Sequence, residues 1–499
     1  MIYIQKTKNF NTQIKSKMKN NFITLVFLLT SYFSVAQNEA DKDLTFNIGT
    51  GLNERAFTVT SQSDGKILIG GKFTTFNGVN RFRLIRLNIN GTTDGTFFSW
   101  ESFNNEIHAI KVQNDGKILI GGSFNLFNNQ SNNGLIRLNQ NGTKDTTFNT
   151  GTGFNSIFNP TATVYDIQTL NDGKILVCGY FTSYNGTTKN NIVKLNTDGS
   201  IDTSFNTNFF TNNGNSSNVI LSKLSIQNDG KILLCGFFTT YNSISANNVL
   251  RLNSDGTKDL TFNFGSGLTS ASNTTYCNSL NIQPDGKIIL VGKFEQYYGI
   301  ATKHIVRINN NGTLDTSFNI GSGFDLEATT LFIQSNLKII VGGSFNSFNG
   351  INSNKIVRLN QDGSIDNAFN IGNGFNSWVY SICQLLDGSF LIGGNFTEYQ
   401  SLSSPYIVKL KGLTALEINN FDEQNQVSIY PNPSKELINI NSINNQNFKY
   451  CKIYDLFGKI VSQKEMFENF INISQLNRGV YIIELINESE NYKLKFIKN

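Results

Sequence analysis

The chain has 499 residues, 15% of them charged, with 43 Gly, 41 Phe and only 5 Pro. So little charge among so many aromatic residues excludes a disordered chain and points to a β-rich globular protein of two or three domains. The formal net charge of +5 is misleading, because five lysines and no acid fall within the first 36 residues; without them 5 − 5 leaves a neutral chain, with no overall field to attract a nucleic-acid backbone.

The first predicted element is a signal peptide over 1–36. A basic stretch ends at Lys19, and an apolar run from Phe22 to Phe33 is too short to span a membrane. Ser34-Val35-Ala36 then places small residues for cleavage before Gln37. A buried apolar segment is the alternative, and Met18 offers a second translation start.

Residues 37–413 are dominated by a repeat. The turn Asp-Gly-Lys begins at Asp64, Asp115, Asp172, Asp229 and Asp285, with degenerate copies at Asn336-Leu337-Lys338 and Asp387-Gly388-Ser389. In the second copy an alternating strand at 107–113 meets a tight turn and a second strand at 117–122. A third strand follows at 135–139 and a fourth around 147–149. A four-stranded meander repeated seven times predicts an all-β seven-bladed β-propeller, whose blades must stack because strands this short cannot bury both faces alone. The fourth-strand motif Asp-x-(Thr/Ser/Ala)-Phe begins at Asp94, Asp145, Asp202, Asp259, Asp315 and Asp366, but the seventh unit lacks it. The missing copy, Asp43-Leu44-Thr45-Phe46, stands at the other end of the array. The N-terminal strand is therefore expected to complete the last blade and remove the open edge. The motif's Asp and Phe read as turn and packing residues.

These units resemble the delta-60 repeat of bacterial β-propellers, with its Asp-Gly-Lys-Ile-Leu, Gly-Gly-x-Phe and Arg-Leu-Asn-x-Asp-Gly segments. They stand here as Asp115 to Leu119, Gly121 to Phe124 and Arg358 to Gly363. The resemblance implies a fold and no general activity.

A polar linker over 414–424 leads to a different sequence style. Residues 425–499 carry Tyr430-Pro431-Asn432-Pro433, then Asp455 with Gly458-Lys459, then Leu476-x-x-Gly479-Val480-Tyr481, and end in a basic strand. Alternating strands between turns predict a small Ig-like β-sandwich. The four ordered motifs resemble the type A sorting domain of the type IX secretion system of Bacteroidota. That resemblance implies export by the type IX machinery to the outer-membrane surface or the medium, with removal of the tail and release or attachment to lipopolysaccharide. An ordinary Ig-like module is the alternative.

Length variation among the repeats is localised. From the Phe of the fourth strand to the next turn the spacing is 18 in four cases, but 24, 24 and 23 in three consecutive ones. The insertions share one face, which in a repeat protein marks a binding surface or else drift in surface loops. Segments 149–163, 206–220 and 263–276 contain no charged residue, are rich in Asn, Thr, Ser and Gly, and hold Phe154, Phe158, Phe209, Phe210 and Tyr276. Amides, hydroxyls and aromatic faces suit a neutral glycan. Five residues after the second-strand Gly, an aromatic position reads Tyr184, Tyr241 and Tyr297 in the long-loop units and mostly Phe elsewhere. It is either packing between blades or part of the same face. These eight aromatic residues form the expected ligand-binding set.

Five scattered cysteines and two histidines show neither a disulfide framework nor metal-ligand spacing. Cys178 and Cys235 occupy a repeat position held elsewhere by Gly or Val and read as small buried residues. No nucleophile elbow or phosphate loop occurs, and Asp325 with Glu327 is the nearest approach to an acidic pair on the variable face. The expectation is a secreted, non-catalytic binding or adhesion module without cofactor, metal, nucleic-acid partner or transmembrane span. An extracellular carbohydrate-active enzyme with its site on the same face is the alternative.

Overall fold

The computed structural model describes residues 39–97, 103–159, 161–271, 274–412, 427–442, 448–455, 460–466, 468–487 and 491–498. Every regular element among them is a β-strand, and no helix there is long and apolar enough to cross a membrane. The chain divides into two compact units, one up to 414 and one from 415. The leader over 1–36 and the linker over 414–424 lie outside the described residues.

In the first unit each repeat forms the same antiparallel sheet. In the second copy Ile107–Val112 pairs with Ile118–Gly122, which pairs in turn with Leu135–Leu138. The turn between the first two strands closes on itself: the Asp115 carboxylate accepts the Lys117 amide at 3.1 Å, and Gly116 takes a positive φ that suits glycine. The second strand is buried at every position, because neighbouring sheets cover both of its faces. Seven sheets of this kind occur among the described residues. Their first strands lie side by side, and that of the last lies beside that of the first. Together they line a channel of about 460 Å³.

Every first strand is bulged at the same place, so that two residues oppose one on the second strand. The bulge brings a first-strand carbonyl onto the last glycine of the second strand. A Cβ on Gly122 would collide with the Glu106 carbonyl oxygen, and one on Gly179 with that of Thr163. This contact accounts for a glycine at that position in all seven copies.

The expected fourth strand is corrected. Each sheet has three strands, and the fourth segment contributes one bridge, as at Leu138↔Lys144 and Leu252↔Lys258. The Asp of the motif turns the chain before a strand can extend: Asp145 accepts the Thr147 amide at 3.0 Å and its hydroxyl at 2.7 Å. Its other oxygen accepts Arg137 Nε at 2.7 Å and Lys117 Nζ at 2.9 Å. The Arg137 guanidinium lies 4.5 Å from the centre of the Phe148 ring and donates to the Thr197 carbonyl of the next sheet at 2.6 Å. The motif thus fastens one sheet to the next, as a packing role requires.

The N-terminal segment fills the missing place. Lys42 bridges Leu410, Asp43 N donates to the Lys409 carbonyl at 2.8 Å, and Lys411 N donates to the Asp41 carbonyl at 2.8 Å. Lys409 reaches Asp43 at 3.1 Å and Asp387 at 2.8 Å. Cys178 and Cys235 are fully buried, and burial holds both thiols well above their ordinary pKa.

The second unit has two antiparallel sheets. One is formed by Val427–Tyr430, Leu437–Ser442 and Phe470–Asn472, the other by Tyr450–Tyr454, Ile460–Glu465, Gly479–Ile486 and Asn491–Lys498. Val427, Ile438 and Ile471 from the first share one core with Ile453, Ile483 and Phe496 from the second.

Candidate functional site

The bulge sets the site. Its seven equivalent residues, one per sheet, are Phe57, His108, Tyr165, Ser222, Asn278, Thr329 and Tyr380, and all of them line the channel. The residues two positions before them, which form the rim, include Glu106, Ile220, Tyr276, Glu327 and Trp378. Half the mouth is therefore aromatic. Ring centroids step from Trp378 to Tyr380 at 6.1 Å, to Phe57 at 5.5 Å, to His108 at 4.8 Å and to Tyr165 at 5.2 Å. The other half offers Ser222, Asn278 and Thr329.

At this end lies a cavity of about 520 Å³, bounded by Tyr165, Phe237, Tyr276, Trp378 and Tyr380 with Ile220, Ser222, Asn278, Glu327 and Thr329. Trp378 is 39% exposed, and the other rings are half-buried. The Tyr276 hydroxyl donates to the Glu327 carboxylate, and Asn278 donates to the Ala328 carbonyl at 2.9 Å. Burial raises the phenol pKa of Tyr165, Tyr276 and Tyr380, with Glu327 adding to the effect at Tyr276. All three phenols therefore stay protonated as donors. His108 stands 3.4 Å from Glu106, and this contact, first among several, holds the Glu106 carboxyl below its ordinary pKa. Asp325 turns away from the cavity, its carboxylate accepting the Asn346 and Ser347 amides at 2.9 Å each. Asp325 and Glu327 therefore do not form a pair. Among the described residues no group of three or more His, Cys, Asp or Glu could hold a metal ion.

Deeper in the channel Lys223 pairs with Asp166 at 3.0 Å, and Lys111 donates to Gln168 at 3.0 Å.

The structure divides the expected ligand-binding set. Phe154, Phe210, Tyr184, Tyr241 and Tyr297 are each no more than 2% exposed, so their rings cannot receive a ligand, and this part of the expectation is corrected. Phe154 pairs with Tyr184 and Phe210 with Tyr241, as Phe103 bridges Phe127 and Phe324 bridges Phe348 in the short-loop units. The two phenylalanines are therefore repeat positions and not parts of an insertion. Tyrosine replaces phenylalanine to satisfy a carbonyl: Tyr184 donates to Gly199 at 2.7 Å and Tyr241 to Gly256 at 3.0 Å.

The remaining three separate. Tyr276 joins the channel mouth. Phe158 and Phe209, 44% and 45% exposed, flank a second cavity of about 280 Å³ with Tyr180, Asn190 and Ser216. The three insertions therefore do not make one patch. The mouth residues Phe57, His108, Tyr165, Trp378 and Tyr380 escaped the sequence reading. Their signal was an aromatic residue recurring at the bulge position of four first strands, with Trp378 two residues before one of them, hidden because simple alternation does not anticipate a bulge.

In the second unit the sorting motifs meet the terminal strand. Asn432 donates to the Lys495 carbonyl and accepts the Ile497 amide, both at 2.9 Å. Ser434, next to Pro433, donates its amide to the Ile497 carbonyl at 2.9 Å. Tyr430 is exposed. Gly479 opens the strand paired with 491–498, and the buried Tyr481 stacks on Phe496 at 5.5 Å between ring centroids. Asp455 ends the strand at 450–454, while Gly458 and Lys459 lie outside the described residues.

Two family models match this chain. A domain of unknown function, the DUF5122 β-propeller, matches residues 62–97, 113–148, 170–205, 227–262, 283–318 and 334–369. A secretion system C-terminal sorting domain matches residues 428–499. The chain is a β-propeller repeat protein with a type IX secretion sorting tail. The six repeat matches are the copies whose turn and Asp-x-x-Phe motif are contiguous; the seventh is split between the two ends of the array. The sorting domain marks the chain for export to the cell surface or beyond and implies contact with the secretion machinery.

Comparison with curated proteins returns no match. Among solved structures, PorZ, described as an essential bacterial surface component of the type IX secretion system of Porphyromonas gingivalis, is 14% identical with a TM-score of 0.43. The match covers 89% of this chain and 59% of PorZ. The extracellular domain of a protein described as a hybrid two-component system, BT3049 from B. thetaiotaomicron, is 13% identical with a TM-score of 0.45, covering 93% of this chain and 58% of that one. The gluconolactonase XC5397 of Xanthomonas campestris is 11% identical with a TM-score of 0.31, covering 62% of this chain and 96% of that one. The chain thus spans less than two thirds of the first two, and scores this low carry no functional weight.

Proposed function

We propose that this protein is a seven-bladed β-propeller with an Ig-like sorting tail, delivered to the cell surface behind a cleaved leader, and that it binds a neutral glycan at the channel mouth. The tail is then removed, leaving the propeller released or attached to lipopolysaccharide. The observation that carries the binding reading is the mouth cavity, where Tyr165, Phe237, Tyr276, Trp378 and Tyr380 face Ser222, Asn278 and Thr329. Aromatic faces cover the apolar faces of a pyranose, and hydroxyls and amides match its hydroxyl groups. Glycoside hydrolysis needs two carboxyl groups flanking one bond. Here Glu327 is engaged by Tyr276, Glu106 by His108, and Asp325 by backbone amides, which favours binding over catalysis.

The test is a glycan array probed with the mature secreted protein. A neutral glycan should be retained intact, with affinity nearly unchanged from about 0.05 to 0.5 M salt, since no ion pair is screened. Trp378→Ala should weaken binding by about tenfold, the value of one stacking contact. Retention of acidic glycans alone would overturn the reading. Release of reducing ends would replace it with the carbohydrate-active enzyme.

A further inference from the structure

Phe158 and Phe209 are the two exposed aromatic side chains of the charge-free loops at 149–163 and 206–220 that the channel mouth leaves unused. They come from different sheets, 51 residues apart in sequence, yet they border a single groove. Its wall carries no charged group: Asn190 and Ser216 supply amide and hydroxyl chemistry beside the rings, while the hydroxyls of Tyr180 and Thr211 are engaged with Ser217 and Thr240. The groove is held in shape from behind. The Tyr180 hydroxyl donates to the Ser217 carbonyl at 2.9 Å, and the buried Asn191 donates to the Gly179 and Val219 carbonyls at 3.0 and 3.1 Å. An apolar partner would leave Asn190 and Ser216 unanswered, and an ionic one would find no counter-charge. A neutral polyhydroxylated ring answers both.

The groove and the mouth are separate cavities bordered by one loop. The lengthened loop at 206–220 forms a wall of each: Phe209, Thr211 and Ser216 border the groove, and Ile220, at the end of the same loop, borders the channel-mouth cavity. Thr163, where the neighbouring insertion ends, pairs with Tyr180 of the groove and stands two residues from Tyr165 of the mouth. We propose that the Phe158–Phe209 groove is a second subsite for the same neutral glycan, so that the protein recognises a polymer running over the loop at 206–220 and not an isolated sugar. The proposal rests on glycan binding at the mouth.

A linear neutral oligosaccharide series of the type retained on the array, from two to eight residues, tests it with the full mature chain by calorimetry. Affinity should rise about tenfold or more once the oligomer spans both sites. The double variant Phe158→Ala/Phe209→Ala should abolish that rise and leave the shortest binder unchanged, whereas Trp378→Ala should weaken every length. Both rings are exposed, so the double variant should keep the parent's thermal midpoint; Phe158→Tyr/Phe209→Tyr, which retains the aromatic faces, should keep the length dependence. A short oligomer that binds with no gain on lengthening overturns the second subsite and leaves the mouth reading intact. A gain that survives the alanine pair also overturns it. Failure of every neutral oligomer removes both.

Discussion

At the scale of single residues, burial separates structural from recognition side chains. Arg251 and Asp259 are each 4% exposed and joined at 2.7 Å. Lys231 adds a second cation at 3.1 Å, and the guanidinium lies 4.6 Å from the Phe262 ring centre. Removing the carboxylate leaves Arg251 buried with no counter-charge. Asp259→Ala should therefore cost about 3–5 kcal/mol, read as a drop in the urea midpoint. Asp255→Ala, which removes an exposed Asx turn to Thr257 and uncovers no buried charge, should cost about 1 kcal/mol or less. Equal losses in the two variants would show that the buried cluster is not what fastens adjacent sheets. The sequence offered this cluster as turn and packing residues, and that reading stands. It left Tyr184, Tyr241 and Tyr297 between packing and one face of a site, and their burial decides for packing. Nothing in a sequence tells whether a recurrent tyrosine hydroxyl meets solvent or a carbonyl; here Gly199 and Gly256 supply the carbonyls.

At the scale of elements, the segment at 40–48 closes the array. It lies on the outer strand Ile407–Leu410 through Lys42 and Asp43, accepts the Tyr399 hydroxyl at Ala40 at 2.7 Å, and buries Phe46 and Ile48. Deleting residues 37–50 uncovers that strand and strips out both apolar side chains. Stability should fall by at least the roughly 3–5 kcal/mol that one buried Phe represents, and the exposed edge should promote aggregation. An unchanged urea midpoint would mean that the last sheet needs no partner. The displaced Asp-x-Thr-Phe motif made this closure legible, because a motif present six times in register and once out of place has few explanations. The fourth strand was misread for the opposite reason: its residues alternate acceptably, but the Asx turn at the motif's Asp bends the chain after one bridge.

At the scale of the whole molecule, the repeated carboxylates act together. Burial alone would raise the pKa of Asp94, Asp145, Asp202, Asp259, Asp315 and Asp366. Their lysine, arginine, hydroxyl or amide partners reverse this and hold them all below the ordinary carboxylate range. A carboxyl whose pKa is lower in the folded than in the unfolded chain contributes stability above its unfolded value. That contribution is lost as pH falls through the folded one. The unfolded value is about 3.9, so the urea midpoint should be flat near neutrality and fall steeply below about pH 4. Several protons should be taken up per molecule unfolded. A midpoint that holds steady down to pH 3 would contradict this account.

The sequence by itself determined the repeat, its count of seven turns, the closing segment and the sorting tail. Each is written in local spacing, and a hairpin turn or an alternating strand is decided within about ten residues. The channel mouth was decided only by the tertiary structure. Phe57, His108, Tyr165 and Tyr380 stand about 50 to 60 residues from one chain neighbour to the next, or farther. They become a site only because each first strand bulges at one position and seven sheets bring those positions around one axis. The same assembly buried Phe154 and Phe210 and left Phe158 and Phe209 in the open, although all four lie in loops of one composition. Exposure depends on what the neighbouring sheet covers, and no local pattern carries that information.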